Sequence, residues 1–130
     1  MMSMRFGAVL AGLVVASAAP AAAQGMKMEA PKSTQKTVTG TVIDVSCKFG
    51  QGLGGADHKM CTEVCADRGI PLAILGDDGK LYLATTAGMP GEGQNGRLKP
   101  FSEQKVTVSG KVFAAGGANA IQIDDIKPAK

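Results

Sequence analysis

A chain of 130 residues with three cysteines, one histidine, no tryptophan and a net charge of +3 has room for one small domain and little more. The charge is spread without long runs, so there is no polyanion-binding footprint and nucleic acid is not an expected partner. The single histidine lies among cysteines rather than in a Ser-His-Asp set, so no catalytic residue is assigned.

Met1 to Arg5 carries one positive charge and precedes an apolar run from Phe6 to Ala19, too short to span a bilayer comfortably. Pro20 follows, and Ala21-Ala22-Ala23 before Gln24 puts small residues at the positions a signal peptidase requires. Residues 1–23 therefore read as a signal peptide, and the remainder as a periplasmic or secreted protein with no membrane span after cleavage. No cysteine follows the cleavage point for lipid attachment, and there is no twin arginine. Residues 24–36, QGMKMEAPKSTQK, hold three lysines, a proline and no apolar period, and read as a disordered leader. Met26 and Met28 are soft donors on that leader and are not assigned to a site.

Residues 37–130 read as a single OB-like domain. KTVTGTVIDVSC is rich in β-branched residues and predicts a strand, with Gly40 marking a bulge or bend. FGQGLGG predicts a loop. Asp57 is a candidate N-cap for a helix to about Arg68, with Gly69 at C′ and Pro71 beyond it. PLAIL and KLYLAT flank Gly76-Asp77-Asp78-Gly79 and predict a hairpin. TAGMPGEGQNGRLKP reads as a loop crossing one end of the sheet. EQKVTVSGKVFAA and NAIQIDDI, parted by Gly116-Gly117, predict a second hairpin. Val38-Thr-Gly-Thr-Val42 is echoed weakly by Val108-Ser-Gly-Lys-Val112.

Five strands and one short helix after strand 1 predict a mainly β protein, a β-barrel of OB-like variant form; the alternative is a small α+β sheet. The usual OB helix lies between strands three and four, which is why this would be a variant. The expected core is Val38, Val42, Ile43, Val45, Ile70, Leu72, Ile74, Leu81, Leu83, Val106, Val108, Val112, Ile121 and Ile123. A core of that size gains much from a staple.

Every cysteine and the histidine fall in CKFGQGLGGADHKMCTEVC, Cys47 to Cys65. The first reading is a disulfide from Cys47 to Cys61 or Cys65, closing a loop of roughly 14 to 18 residues and contributing about 3 kcal/mol in the chain-entropy model. It leaves one thiol unpaired in an oxidising compartment. The second is a metal site. Three thiolates and an imidazole are a tetrahedral set for Zn²⁺, and thiolates also suit Cu(I). The spacing Cys47-x10-His58-x2-Cys61-x3-Cys65 is no standard finger. His58 can join only if the chain is still in the cap there, because helical side chains lean toward the N-terminus and away from the sulfurs. The third is thiol redox chemistry, with Cys61 in the first helical turn. Gly50-x-Gly52-x-x-Gly55 matches a dinucleotide fingerprint in form only, since the chain has no room for the parallel sheet that motif serves.

Cys-Thr-Glu-Val-Cys looks like the Cys-x3-Cys element of Sco-type copper chaperones over five residues, but the alternating helices and strands of their thioredoxin-like domain are lacking. Across the mature domain, TVTGTVIDVSC, the Gly loop, HKMCTEVCADRGIPLAIL-GDDGKLYL and VTVSGKVFAAGGANAIQIDDI resemble small secreted bacterial OB-like β-barrel proteins with a Cys…HxxCxxxC element. The resemblance carries over no activity. It implies that Cys47, His58, Cys61 and Cys65 belong together, which favours a metal site. The expectation is thus a small periplasmic or secreted domain binding Zn or Cu(I), non-catalytic, with a periplasmic protein as a further partner. The alternatives are a disulfide-stapled protein- or peptide-binding module and, behind it, a thiol-redox or copper-chaperone-like protein.

Overall fold

The computed structural model describes Gly25 and residues 31–130. The expected signal peptide, and residues 24 and 26–30 of the leader, lie outside the described residues. Five strands, β1 (Thr34–Asp44), β2 (Leu72–Gly76), β3 (Leu81–Thr85), β4 (Lys105–Ala115) and β5 (Ala118–Pro128), close into a barrel in the order β1-β2-β3-β5-β4. Neighbours are antiparallel except β3 and β5, which run parallel. This is the mainly β, OB-like barrel that the sequence predicts, and not an open α+β sheet. Among the described residues no helix is long and apolar enough to cross a membrane.

β1 begins at Thr34, inside the expected leader, and is long because it serves two neighbours. It pairs with β4 from Thr34 opposite Val112 to Thr41 opposite Lys105, and with β2 from Gly40 opposite Gly76 to Asp44 opposite Leu72. Gly40 stands where the two ladders overlap, and a Cβ there would run into the Leu75 carbonyl. Gly110 stands at the register shift of β4, where a Cβ would strike the Gln122 carbonyl. The two echoing glycines therefore share a cause: each is where a coiled strand lets a neighbouring backbone approach.

Three local expectations change. The first strand stops at Asp44, and Val45–Gln51 form a helix, α1, where the sequence suggested strand and then loop. The Asp44 side chain caps it by accepting from the Cys47 N–H, and Gly52, with φ 68°, ends it. The second helix, α2 (Lys59–Asp67), is preceded by a 3-10 turn at Ala56–His58, so Asp57 lies inside that turn and is not its cap. The C-terminal end is as expected, with Gly69 at φ 86°. The loop before β4 holds a third helix, α3 (Asn95–Leu98), in the place where an OB barrel usually carries one.

The pleat of β3 is also reversed. Tyr82 is fully buried, Leu81 only partly, and Leu83 is 37% exposed, whereas the sequence reading pointed both leucines inward. The Tyr82 ring fills the core while its hydroxyl donates to Asp78 Oδ2 at 2.5 Å and lies 3.1 Å from Lys36 Nζ. A large ring with a satisfied polar tip outweighs two leucines for the inner face. Val45, Ile70 and Val112 are half-buried.

The core proper joins Val38, Val42, Leu72, Ile74, Tyr82, Val106, Val108, Ile121 and Ile123 of the strands to Ala66 of α2 and Leu98 of α3. Asn95 binds this end together: its Oδ1 accepts the Leu72 N–H at 2.9 Å, and its Nδ2 donates to the carbonyls of Ala66 at 3.0 Å and Ile70 at 2.8 Å. Leu98→Ala is expected to cost about 2–5 kcal/mol by leaving a cavity, and Leu83→Ala less than about 1 kcal/mol. Urea unfolding of both variants checks this. The reverse order would place Leu83 inside and contradict the observed phase of β3.

Candidate metal centre

The end of β1 brings the chemistry together. Asp44 is its last residue and only 1% exposed, and its carboxylate works in two directions. Oδ1 accepts the Cys47 N–H at 2.7 Å, which starts α1 and sets the position of Cys47 three residues along. Oδ2 faces His58 Nε2 at 3.2 Å. His58 is reached across the Gly52–Gly55 loop and closes the 3-10 turn, its backbone N–H donating to the Gly55 carbonyl at 2.9 Å. The condition on His58 is met, because it stands at the cap of α2 and not inside it.

One candidate ligand atom from each of Asp44, Cys47 and His58 lies within 4.8 Å of the others, a group able to hold a metal ion. Carboxylate oxygen, thiolate sulfur and imidazole nitrogen are together a donor set for a borderline transition metal. Cys65, half-buried on α2, is near enough to Cys47 to influence its thiol but stands outside this group. Cys61, one turn earlier on the same helix, is exposed and stands outside the group. Of the four residues singled out in the sequence, Cys47 and His58 meet, Cys65 neighbours Cys47 from outside the group, and Cys61 faces solvent. All three cysteines are free thiols.

Three participants escape a reading by residue type. Asp44 is the first, and its only local signal is Asp-x-x-Cys at the end of an apolar strand, the spacing of an N-cap to the third residue of a helix. Thr62 is fully buried on α2, 3.5 Å from Asp44 Oδ2, and donates to Glu103 Oε1 at 2.7 Å. Glu103 comes from the turn before β4 and has no local signal at all.

Burial first, then the Asp44 charge, then the neighbouring Cys65 thiol push the Cys47 thiol up to about 11. That favours neither a thiol nucleophile nor a redox-active thiolate. It suits a position where a cation displaces the proton. The chain matches no protein-family model, no curated protein and no solved structure.

The metal-free thiols should differ sharply in reactivity. At pH 8 a thiol with its midpoint near 11 is ionised to about one part in a thousand, so iodoacetamide should label Cys47 slowly, with a rate rising about tenfold per pH unit. Exposed Cys61 should be labelled first. Peptide mass spectrometry against time and pH reads this out, and labelling of Cys47 as fast as Cys61 at pH 8 would contradict it.

Proposed function

We propose that this chain is a periplasmic or secreted domain that binds one transition-metal ion, Zn²⁺ in preference to Cu(I), and performs no chemistry of its own. The observation that carries the reading is the convergence of Asp44, Cys47 and His58, from β1, α1 and the 3-10 turn, with donor atoms within 4.8 Å of one another. The Cys65 thiol, which neighbours Cys47 from outside that group, would supply the fourth donor. A mixed O, N, S₂ set suits four-coordinate Zn²⁺, whereas Cu(I) gains little from a carboxylate. The pattern of residues 1–23 supports export, and a bound ion would keep two thiols reduced in an oxidising compartment.

Metal analysis of the protein isolated without added metal should find one zinc per chain, and Co²⁺ in its place should show thiolate-to-metal absorption. Cys47→Ser should abolish stoichiometric binding. His58→Ala and Asp44→Asn, which each remove or weaken a ligand, should lower affinity by at least about 100-fold, the upper end for residues that only orient ligands, and Cys61→Ser should leave it nearly unchanged. Affinity should fall as pH drops, because the thiols must lose protons to bind. A native protein free of metal and indifferent to chelators would overturn the reading.

The influence of Cys65 on the Cys47 thiol also supports a second reading, a disulfide between these two that staples α1 to α2 in a peptide-binding module. A groove of about 650 Å³ lined by Thr85, Met89, Lys111, Phe113, Ala120 and Gln122 would be its binding face. A thiol count under denaturing conditions separates the two: three free thiols for the metal site, and Cys61 alone for the staple.

A further inference from the structure

Glu103 occupies a backbone conformation that its own side chain disfavours. Phe101 to Gln104 form a tight turn, with the Gln104 N–H donating to the Phe101 carbonyl at 2.9 Å. Ser102 has φ −50° and ψ 127°, and Glu103 follows at φ 58°, the only non-glycine residue with positive φ among the described residues. That is the third position of a type II turn, where glycine is the unstrained choice. A glutamate held there points to work done by its carboxylate.

Both carboxylate oxygens are engaged, one on each side of His58 in the chain. Oε2 accepts the Gly55 N–H at 2.8 Å, and Oε1 accepts from Thr62 Oγ1 at 2.7 Å. Gly55 is the residue whose carbonyl receives the His58 N–H, and Thr62 lies one helical turn after His58. The Glu103 backbone is itself fixed to β1, its N–H donating to the Val42 carbonyl at 2.9 Å, two residues before Asp44. A short chain of bonds thus runs from β1 through Glu103 to the two segments that bracket the histidine. Beyond the His58 ring on Asp44, the stretch leading into that turn offers little to hold it: Gly54 and Gly55 have no side chains to pack, and Gly55 sits at φ 98°.

We propose that Glu103 is the positioning residue of the metal centre, strapping the Gly52–His58 segment and α2 onto the end of β1 so that His58 meets Asp44 and Cys47. The proposal rests on the metal reading for its consequence, but its geometry can be tested without metal. Glu103 touches no ion in this assignment. It acts through Gly55 and Thr62.

Two variants separate positioning from folding. Glu103→Gly deletes the strap and relieves the turn, so its Tm should stay within a few degrees of the parent. Glu103→Gln retains the side chain's bulk but cannot satisfy both donors as acceptor, since its amide nitrogen does not accept. Each should lower Zn²⁺ affinity about 10- to 100-fold, the range for residues that orient ligands. In the metal-free protein, the single histidine gives one set of imidazole ¹⁵N resonances, which should shift in both variants toward those of a solvent-exposed ring. Wild-type affinity in both variants, or a loss that only tracks unfolding in both, would overturn the proposal. If the parent chain itself binds no zinc, the metal reading fails, and the imidazole resonances alone decide: displaced in both variants, the strap stands; unmoved, it falls.

Discussion

The buried carboxylate of Asp44 is the interaction on which this end of the molecule depends. A charge at 1% exposure is costly unless every lone pair has a partner. Here the partners are the first turn of α1, the His58 imidazole and, at longer range, the Thr62 hydroxyl. One side chain therefore ends β1, starts α1 and gives the α2 segment something to dock on. The same negative charge opposes ionisation of Cys47, so the pocket is better matched to a cation than to a free thiolate.

Around that carboxylate, barrel and site are one construction. β1 contributes Asp44 because Gly40 lets it bend from the β4 ladder into the β2 ladder. β2 starts beside Asp44, and its first N–H is held by Asn95, whose amide also holds the end of α2. The helices do more than cover the barrel. Two of the three add a residue to the core, Ala66 from α2 and Leu98 from α3, so movement of α2 would disturb packing below it.

The strands and both hairpins were legible in the sequence because alternation and Gly-rich turns are local signals. The helix α1 was not, since VSCKFGQ opens with a β-branched residue and contains glycine; its cause is the cap, a single side-chain bond. The pleat of β3 was ambiguous among Leu81, Tyr82 and Leu83 until the partners of the Tyr82 hydroxyl, Asp78 and Lys36, came into view. Leu98 was hidden in a Gly/Pro-rich stretch whose helix is only four residues long. At the site, Cys47 and His58 were visible as residue types that carry chemistry. Asp44, Thr62 and Glu103 were not, because they are ordinary residues made relevant by contacts across 14 to 48 positions of chain.

The barrel closes through its one parallel pairing, a short seam from Tyr82 opposite Asn119 to Thr85 opposite Gln122. Next to the long β4–β5 hairpin this is a brief run of slanted hydrogen bonds, and with the similarly short β2–β3 pairing it makes β3 the least tied strand of the cylinder. The Asp44 end is built instead from β1, β2 and the turn before β4, which belong to the other side of the sheet. Opening at the seam would leave those strands paired. The pairings that carry Asp44 to the end of β1 therefore do not depend on that seam, and the cylinder can loosen on one side while the end that gathers Asp44, Cys47 and His58 keeps its strands.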